Sequence, residues 1–193
     1  MATAMISCNG NNQNSIFPAG CELRTGDIVF RRGGGISSHA VMMADINGRY
    51  SHVGIVVDSA GKKMIVHAVP GEPDFEGDPD RVKMDTPEKF FSVTNANAGE
   101  VKRLRGDTLT PIKAAAFAME IYRRNTLFDH DYDDSDTTKM YCCEIVEFAY
   151  AKAGRSLAGT VRHDIKLPGL NAFHCMLPSD ICNSKLLISI IDF

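Results

Sequence analysis

The stretch "YSHVGIVVDSAGKKMIVHAVPG", residues 50–71, decides how the chain is read. Two runs rich in β-branched residues, 51–58 and 63–69, flank Ser59-Ala60-Gly61-Lys62, the pattern of an antiparallel hairpin with a tight turn. Each run carries one histidine. His52 stands at the start of the first strand and shares a face with Gly54 and Val56 rather than with Val53 and Ile55. The missing side chain at Gly54 leaves room for a group to approach beside it. His67 lies inside an otherwise apolar strand, where a polar residue requires a partner. A hairpin can set the two imidazoles side by side, one as base and the other as orienter. Taken singly, each is more often a satisfied structural histidine.

The second informative stretch is "KMYCCEIVEFAYAKAG", residues 139–154, an amphipathic helix closed by Gly154 as a left-handed cap. Cys142 shares a face with Ile145, Val146 and Ala149, while Cys143 points about 100° away, toward Glu147. Cys142 is thus expected to face the body of the protein from the first helical turn. There the free N–H groups stabilise a thiolate and can donate to a developing oxyanion, and a neighbouring imidazole completes the activation. The plain alternative is a core cysteine.

Outward from these motifs, "TGDIVFRR" (25–32) reads as a first strand, and the next segment as a loop with a short helix after Ser37 or Ser38. A loop over 70–80, a short helix at "TPEKFF" (86–91) and a strand at "GEVKRLRG" (99–106) follow. "TPIKAAAFAMEIYRRN" (110–125) predicts a helix with Thr110 as N-cap and Pro111 at its first position. The acidic loop "FDHDYDDSD" (128–136) precedes the cysteine helix, and "LPSDICNSKLLISIIDF" (177–193) supplies a helical turn and a last strand. Helices and antiparallel strands in one unit predict an α+β fold: a tail over 1–18, then a single domain over 19–193.

Bulk properties narrow the field. With 193 residues, 44% hydrophobic and 23% charged, the chain suits one well-buried domain. A net charge of −3 gives no electrostatic case for nucleic acid or an anionic membrane. No apolar run is long enough to span a bilayer. The six cysteines form no C-x-x-C pair and argue against a disulfide scaffold, leaving one bridge, Cys175 to Cys182, open in an oxidising compartment. For the N-terminus two readings stand: a tail with little fold, or the end of a bacterial lipoprotein signal with Cys8 as lipid anchor, which would place the protein in the cell envelope. Oligomeric state is not legible.

The order "GDIVFRR", "YSHVGIVVD", "IVHA", "FDHDYDDSDTTKMYCCEIVEFAY", "LPSD" resembles the YiiX/YebB-like branch of the NlpC/P60 superfamily over roughly residues 25 to 182. The resemblance implies a circularly permuted papain-like fold, a central antiparallel sheet or barrel with helices packed on it. It implies Cys142 as nucleophile, His52 as base and His67 as the orienting group, where many members carry Glu. Histidine there is similar to the lecithin retinol acyltransferase relatives. The expected activity is a cysteine peptidase or amidase working through an acyl-enzyme on a cell-wall peptide, the wider superfamily implying a γ-glutamyl-diamino acid bond. Acyl transfer or lipid amide or ester hydrolysis by the same set is the alternative, and a non-catalytic binding module the rival of another class. Tyr50 or Tyr141 is the expected hydroxyl donor to the oxyanion. No cofactor or metal is expected.

Other signals carry less. A calcium loop from Asp129 would need Gly and Glu where Asp134 and Met140 stand. The acidic loop reads better as a rim favouring amine-bearing substrates through Asp133, Asp134 and Asp136. "RRGGG" (31–35) lacks the phosphate-loop Lys-Ser/Thr and reads as a loop bordering a cleft. A zinc site of His52, His67 and Cys142 is chemically reasonable and ranks below the nucleophile. His39, His130, His163 and His174 form no constellation.

Overall fold

The computed structural model describes residues 14–166 and 172–193. In chain order its elements are β1 (Ile28–Arg32), α1 (Ile36–Ala44), β2 (His52–Ser59), β3 (Lys62–Ala68) and β4 (Val82–Asp85). Then come α2 (Pro87–Phe90), β5 (Ala98–Leu104), α3 (Leu109–Arg123), β6 (Leu127–Phe128) and β7 (Lys139–Met140). The chain continues through α4 (Cys142–Lys152), β8 (His163–Ile165), β9 (Phe173–Cys175), α5 (Pro178–Cys182) and β10 (Leu187–Asp192). The result is the expected α+β mixture.

Six strands form one antiparallel sheet in the order β10-β5-β1-β2-β3-β4. Within it runs the β2–β3 hairpin, with Ser59 paired to Lys62 across Ala60 (φ 53°) and Gly61 (φ 78°). Two successive left-handed residues give the turn whose twist matches that of the strands. The Asp58 carboxylate accepts the Gly61 N–H at 2.9 Å and holds the bend.

Alternation along β2 divides the core. Val53, Ile55 and Val57 pack with Ala114 and Ala118 of α3 and Ile145, Val146 and Ala149 of α4. Val56 faces the other way, with Ile65, Val29 and Val101, onto Phe90 and Phe91. Each of these buried aliphatic side chains contributes about 1.5–3 kcal/mol of transfer free energy. His52 and His67 lie on the Phe90 side, their rings 5.6 and 5.0 Å from its centroid. At Gly54 a Cβ would come within 2.6 Å of Ile65, so the space beside His52 is taken by β3 itself.

Several boundaries differ from the sequence reading. Of the expected tail, residues 1–13, including the Cys8 anchor, lie outside the described residues. Ser15 to Phe17 are fastened down: Ser15 bridges Ser92, and Phe17 stacks on Phe91 at 5.5 Å. Helix α1 starts at Ile36, ahead of both serines, because the Ser38 hydroxyl donates to Gly33 O (2.9 Å) and pairs with Ser51 instead of capping. Helix α3 starts at Leu109, before the expected Thr110, because Asp107 accepts the N–H groups of Leu109 (2.9 Å) and Thr110 (3.0 Å). Pro111 then falls in the first turn, where a missing N–H costs nothing. Cys175 and Cys182 are buried free thiols, not a bridge; Cys182 donates to Glu100 at 3.6 Å.

Candidate active site

The tip of α4 meets the beginning of β2, and this junction brings Cys142 to His52. Cys142 is half-buried at the floor of a cleft, while Cys143 is sealed in the core at 1% exposure. That corrects the helix-face reading, in which Cys142 faced the body and Cys143 sat to the side. Helix α4 is enclosed on most sides, with even Glu144 and Glu147 buried, so the 3.6-residue period does not single out one inward face. Its first turn leaves N–H groups without helical acceptors beside the Cys142 sulfur.

His52 lines the same cleft as Cys142, and each shifts the other's protonation. The His52 Nε2 lies 2.9 Å from His67 Nδ1, and His67 Nε2 lies 3.0 Å from Asp85 Oδ2. The series fixes the tautomers. Hydrogen bonds from His67 and Lys89 hold the Asp85 carboxyl below the usual carboxylate range despite its burial, so Asp85 can only accept. His67 therefore donates from Nε2 and accepts at Nδ1, His52 donates from Nε2, and the remaining nitrogen of neutral His52 is left as a proton acceptor. Asp85, on β4, escaped the sequence reading because the segment after the 70–80 loop shows only four strand residues. In the register of β3 with β4, Lys83 stands opposite His67 and Asp85 opposite Ile65, so pairing alone would not have singled it out.

Burial pushes both imidazoles down to about 4, against the pull of Cys142 on His52 and of Asp85 on His67. Arg31 adds to this. It pairs with His52 across β1 and β2, lies 4.7 Å over the Phe90 ring, donates to Phe90 O at 2.6 Å and pairs with Glu72. The Cys143 thiol, 3.9 Å away, shares a hydrogen bond with Cys142, and with His52 and the Val53 N–H it holds the Cys142 thiol well below the usual range against burial. The resting pair is a readily ionised thiol facing a neutral imidazole.

Of the two expected tyrosines, Tyr141 lines the cleft and Tyr50 does not. Tyr50 is buried against Phe30, and its hydroxyl donates to Asp192 at 3.2 Å. Tyr141 caps α4, and its hydroxyl accepts the Met176 N–H at 3.0 Å. Tyr132 lines the cleft on both sides of Cys142, and Tyr141 lines it on one. The Tyr132 backbone is left-handed (φ 56°), a costly conformation for an aromatic residue, and its ring stacks on Phe173 at 4.8 Å. Burial and the nearby Cys142 charge raise its pKa, so the hydroxyl remains a donor. Within an acidic loop, sequence offered no sign of this.

The glycine loop 33–35 borders the cleft. The acidic loop does so through Phe128, His130 and Tyr132, while its carboxylates turn away: Asp129 accepts the Asp131 and Asp133 N–H groups (3.0 and 2.6 Å), Asp134 binds Arg162, and Asp136 accepts the Thr138 N–H at 2.7 Å. His39, His163 and His174 bond locally to Gly35 O, Asp180 and Asp164. His130 pairs with Asp80 and stands at the cleft's edge.

As zinc ligands the three residues do not fit. Both His67 nitrogens and one of His52 face one another or Asp85 rather than a common point. Among the described residues no group of three or more His, Cys, Asp or Glu side chains is arranged to hold an ion. No described helix is long and apolar enough to cross a membrane.

No protein-family model matches the chain, and no curated protein matches it. Among solved structures, the fold is similar to that of Escherichia coli O157:H7 YiiX, described as a metalloprotein: TM-score 0.68 at 18% identity, covering 88% of this chain and 97% of that one.

Proposed function

We propose that this protein is a cysteine-dependent hydrolase that opens an amide or ester carbonyl through an acyl-enzyme on Cys142. The observation that carries this reading is Cys142 and His52 lining one cleft, with His52 hydrogen-bonded to His67 and His67 to Asp85. The same arrangement, with the histidine hairpin ahead of the cysteine helix, supports a permuted papain-like fold of the NlpC/P60 kind.

In this reading the Cys142 proton passes to His52 as the sulfur attacks. The positive charge that forms on His52 is met by His67, and behind it by the Asp85 carboxylate, a charge that a second imidazole alone would lack. Free N–H groups at the start of α4 and the Tyr132 hydroxyl hold the oxyanion. His52 then protonates the leaving nitrogen or oxygen as the tetrahedral intermediate collapses to a thioester. Water, deprotonated by His52, releases the acid and restores the thiol. Placement in the cell envelope rests on residues 5–8 alone and is part of the same proposal.

The test is a mass spectrum of intact protein after iodoacetamide and after activated amide or ester donors. One alkyl or acyl group on Cys142, formed near neutral pH, is expected, with turnover lost by about 10⁶-fold in Cys142→Ala and unchanged by chelators. Turnover that survives Cys142→Ala, or that stops on metal removal while Cys142 still alkylates, overturns it.

A further inference from the structure

Asp85 is 2% exposed and gives its two oxygens to different partners: Oδ2 faces His67 Nε2 at 3.0 Å, and Oδ1 faces Lys89 Nζ at 2.7 Å. A carboxylate buried this deeply needs a compensating charge as well as hydrogen bonds. Neutral His67 supplies a hydrogen bond and no charge. The other cations nearby point elsewhere. Lys83 donates to Glu72 O and pairs with Asp74 at 3.3 Å, and Arg31 pairs with Glu72 and donates to Phe90 O at 2.6 Å. Among the described residues Lys89 is the only lysine or arginine in an ion pair with Asp85.

The local sequence brings it there. Asp85 ends β4, the Thr86 side chain caps α2 by accepting the Lys89 N–H at 3.2 Å, and Pro87 opens the helix. One helical turn then returns Lys89, four residues on, to the side of Asp85. The next residue, Phe90, is fully buried against both imidazoles and anchors α2 to the site. On the outer side, Asp74 of the 70–80 loop accepts a second hydrogen bond from the Lys89 ammonium. The half-exposed side chain is thereby held from two directions.

We propose that Lys89 is a positioning residue for the reaction at Cys142: its ammonium keeps Asp85 an ionised acceptor turned toward His67, and through Asp85 it sets the tautomers of both imidazoles. The inference rests on Cys142 as nucleophile and His52 as base, and it extends the series one residue beyond the carboxylate. Without the ammonium, Asp85 has two ways to relieve its buried charge. It takes up a proton and donates to His67, which reverses both tautomers, or it stabilises a proton on the imidazoles themselves. Either outcome removes the neutral His52 acceptor that the thiol requires. Both become more frequent as pH falls, so the acid limb of activity moves to higher pH.

The experiment uses the whole chain with 4-nitrophenyl acetate and follows nitrophenol release from pH 4 to 8 in the parent, Lys89→Met, Lys89→Gln and Lys89→Arg. In the two neutral variants kcat at neutral pH is expected to fall about tenfold, with KM within about twofold and the acid limb raised by about one pH unit. Lys89→Arg keeps the charge and should bring kcat back to within about threefold of the parent, with the limb restored. A side chain that only supports the fold gives a different pattern: all three variants lose activity alike and the limb stays in place. That pattern, or an unchanged kcat in the neutral variants, overturns the positioning role and leaves the thiol chemistry standing. Turnover that persists in Cys142→Ala overturns the nucleophile beneath it.

Discussion

The surroundings of His67 and the loop from Asp129 to Thr138 are both crowded with ionisable groups, yet they use their charge in opposite ways. Around His67, Asp85, Lys83 and Arg31 are buried, and the hydrogen bonds run in one line from Asp85 through His67 to His52 at the cleft. In the loop, the carboxylates fold back on their own backbone or on Arg162 and send nothing to the cleft. Charge density alone therefore says little about function. What counts is whether the hydrogen bonds run in one direction and end at a reactive atom.

The largest break in that contrast comes at Asp85. In Asp85→Asn the amide can donate to His67 Nε2, which reverses both imidazole tautomers and turns an N–H, in place of a lone pair, toward Cys142. Volume and burial stay the same, so kcat is expected to fall about 10³-fold with KM little changed, measured on the best ester donor. A loss below tenfold would mean that the pair is oriented by packing against Phe90 and not by the carboxylate. Smaller, and on the opposite wall, is Tyr132→Phe: removal of one oxyanion donor should lower kcat by about 100-fold while Cys142 alkylation proceeds at its normal rate. Equal loss in both assays would assign the hydroxyl to positioning Cys142.

The same burial has a signature in stability. Native His52 and His67 take up protons only near pH 4, whereas in the unfolded chain they do so near 6.5. Folded-state values that are depressed make their contribution complete above pH 6.5 and progressively lost as pH falls toward 4. The expected slope is about 1.4 kcal/mol per pH unit for each histidine. Urea midpoints recorded from pH 7 to 4 measure it, and His67→Gln should remove about half. A flat profile over that window would show that both rings carry charge in the native state.

Much of this was legible in the chain itself. The β2–β3 hairpin announced itself because a two-residue left-handed turn has a narrow chemistry and because β-branched runs flank it. His52, His67 and Cys142 stood out as polar or reactive groups in apolar settings, and the structure brings all three together. Asp85 and Tyr132 were not legible, for different reasons. Asp85 sits on a four-residue strand whose pairing with β3 is long-range, and no local period marks so short an element. Tyr132 owes its place to a left-handed backbone inside a loop of Asx turns, a conformation set by the fold around it. Tyr50 and Tyr141 were expected because they adjoin the motif residues; the Tyr50 hydroxyl donates to Asp192 away from the cleft, whereas Tyr141 lines the cleft and its hydroxyl accepts the Met176 N–H.

The smallest expected effect sharpens the comparison most. Asp133 and Asp136 are exposed, and each accepts a hydrogen bond from the backbone two residues on, from Ser135 at 3.0 Å and Thr138 at 2.7 Å. Asparagine makes the same turn, so Asp133→Asn with Asp136→Asn removes two charges without unfolding the loop, at a stability change within about 0.5 kcal/mol. Neither residue lines the cleft. At physiological salt their field is screened over about 8 Å. KM for an amine-bearing donor and for its neutral analogue should therefore both stay within about twofold of the parent. A selective rise for the amine would mean that the loop does address the substrate, and the line drawn between the two charged regions would have to be moved.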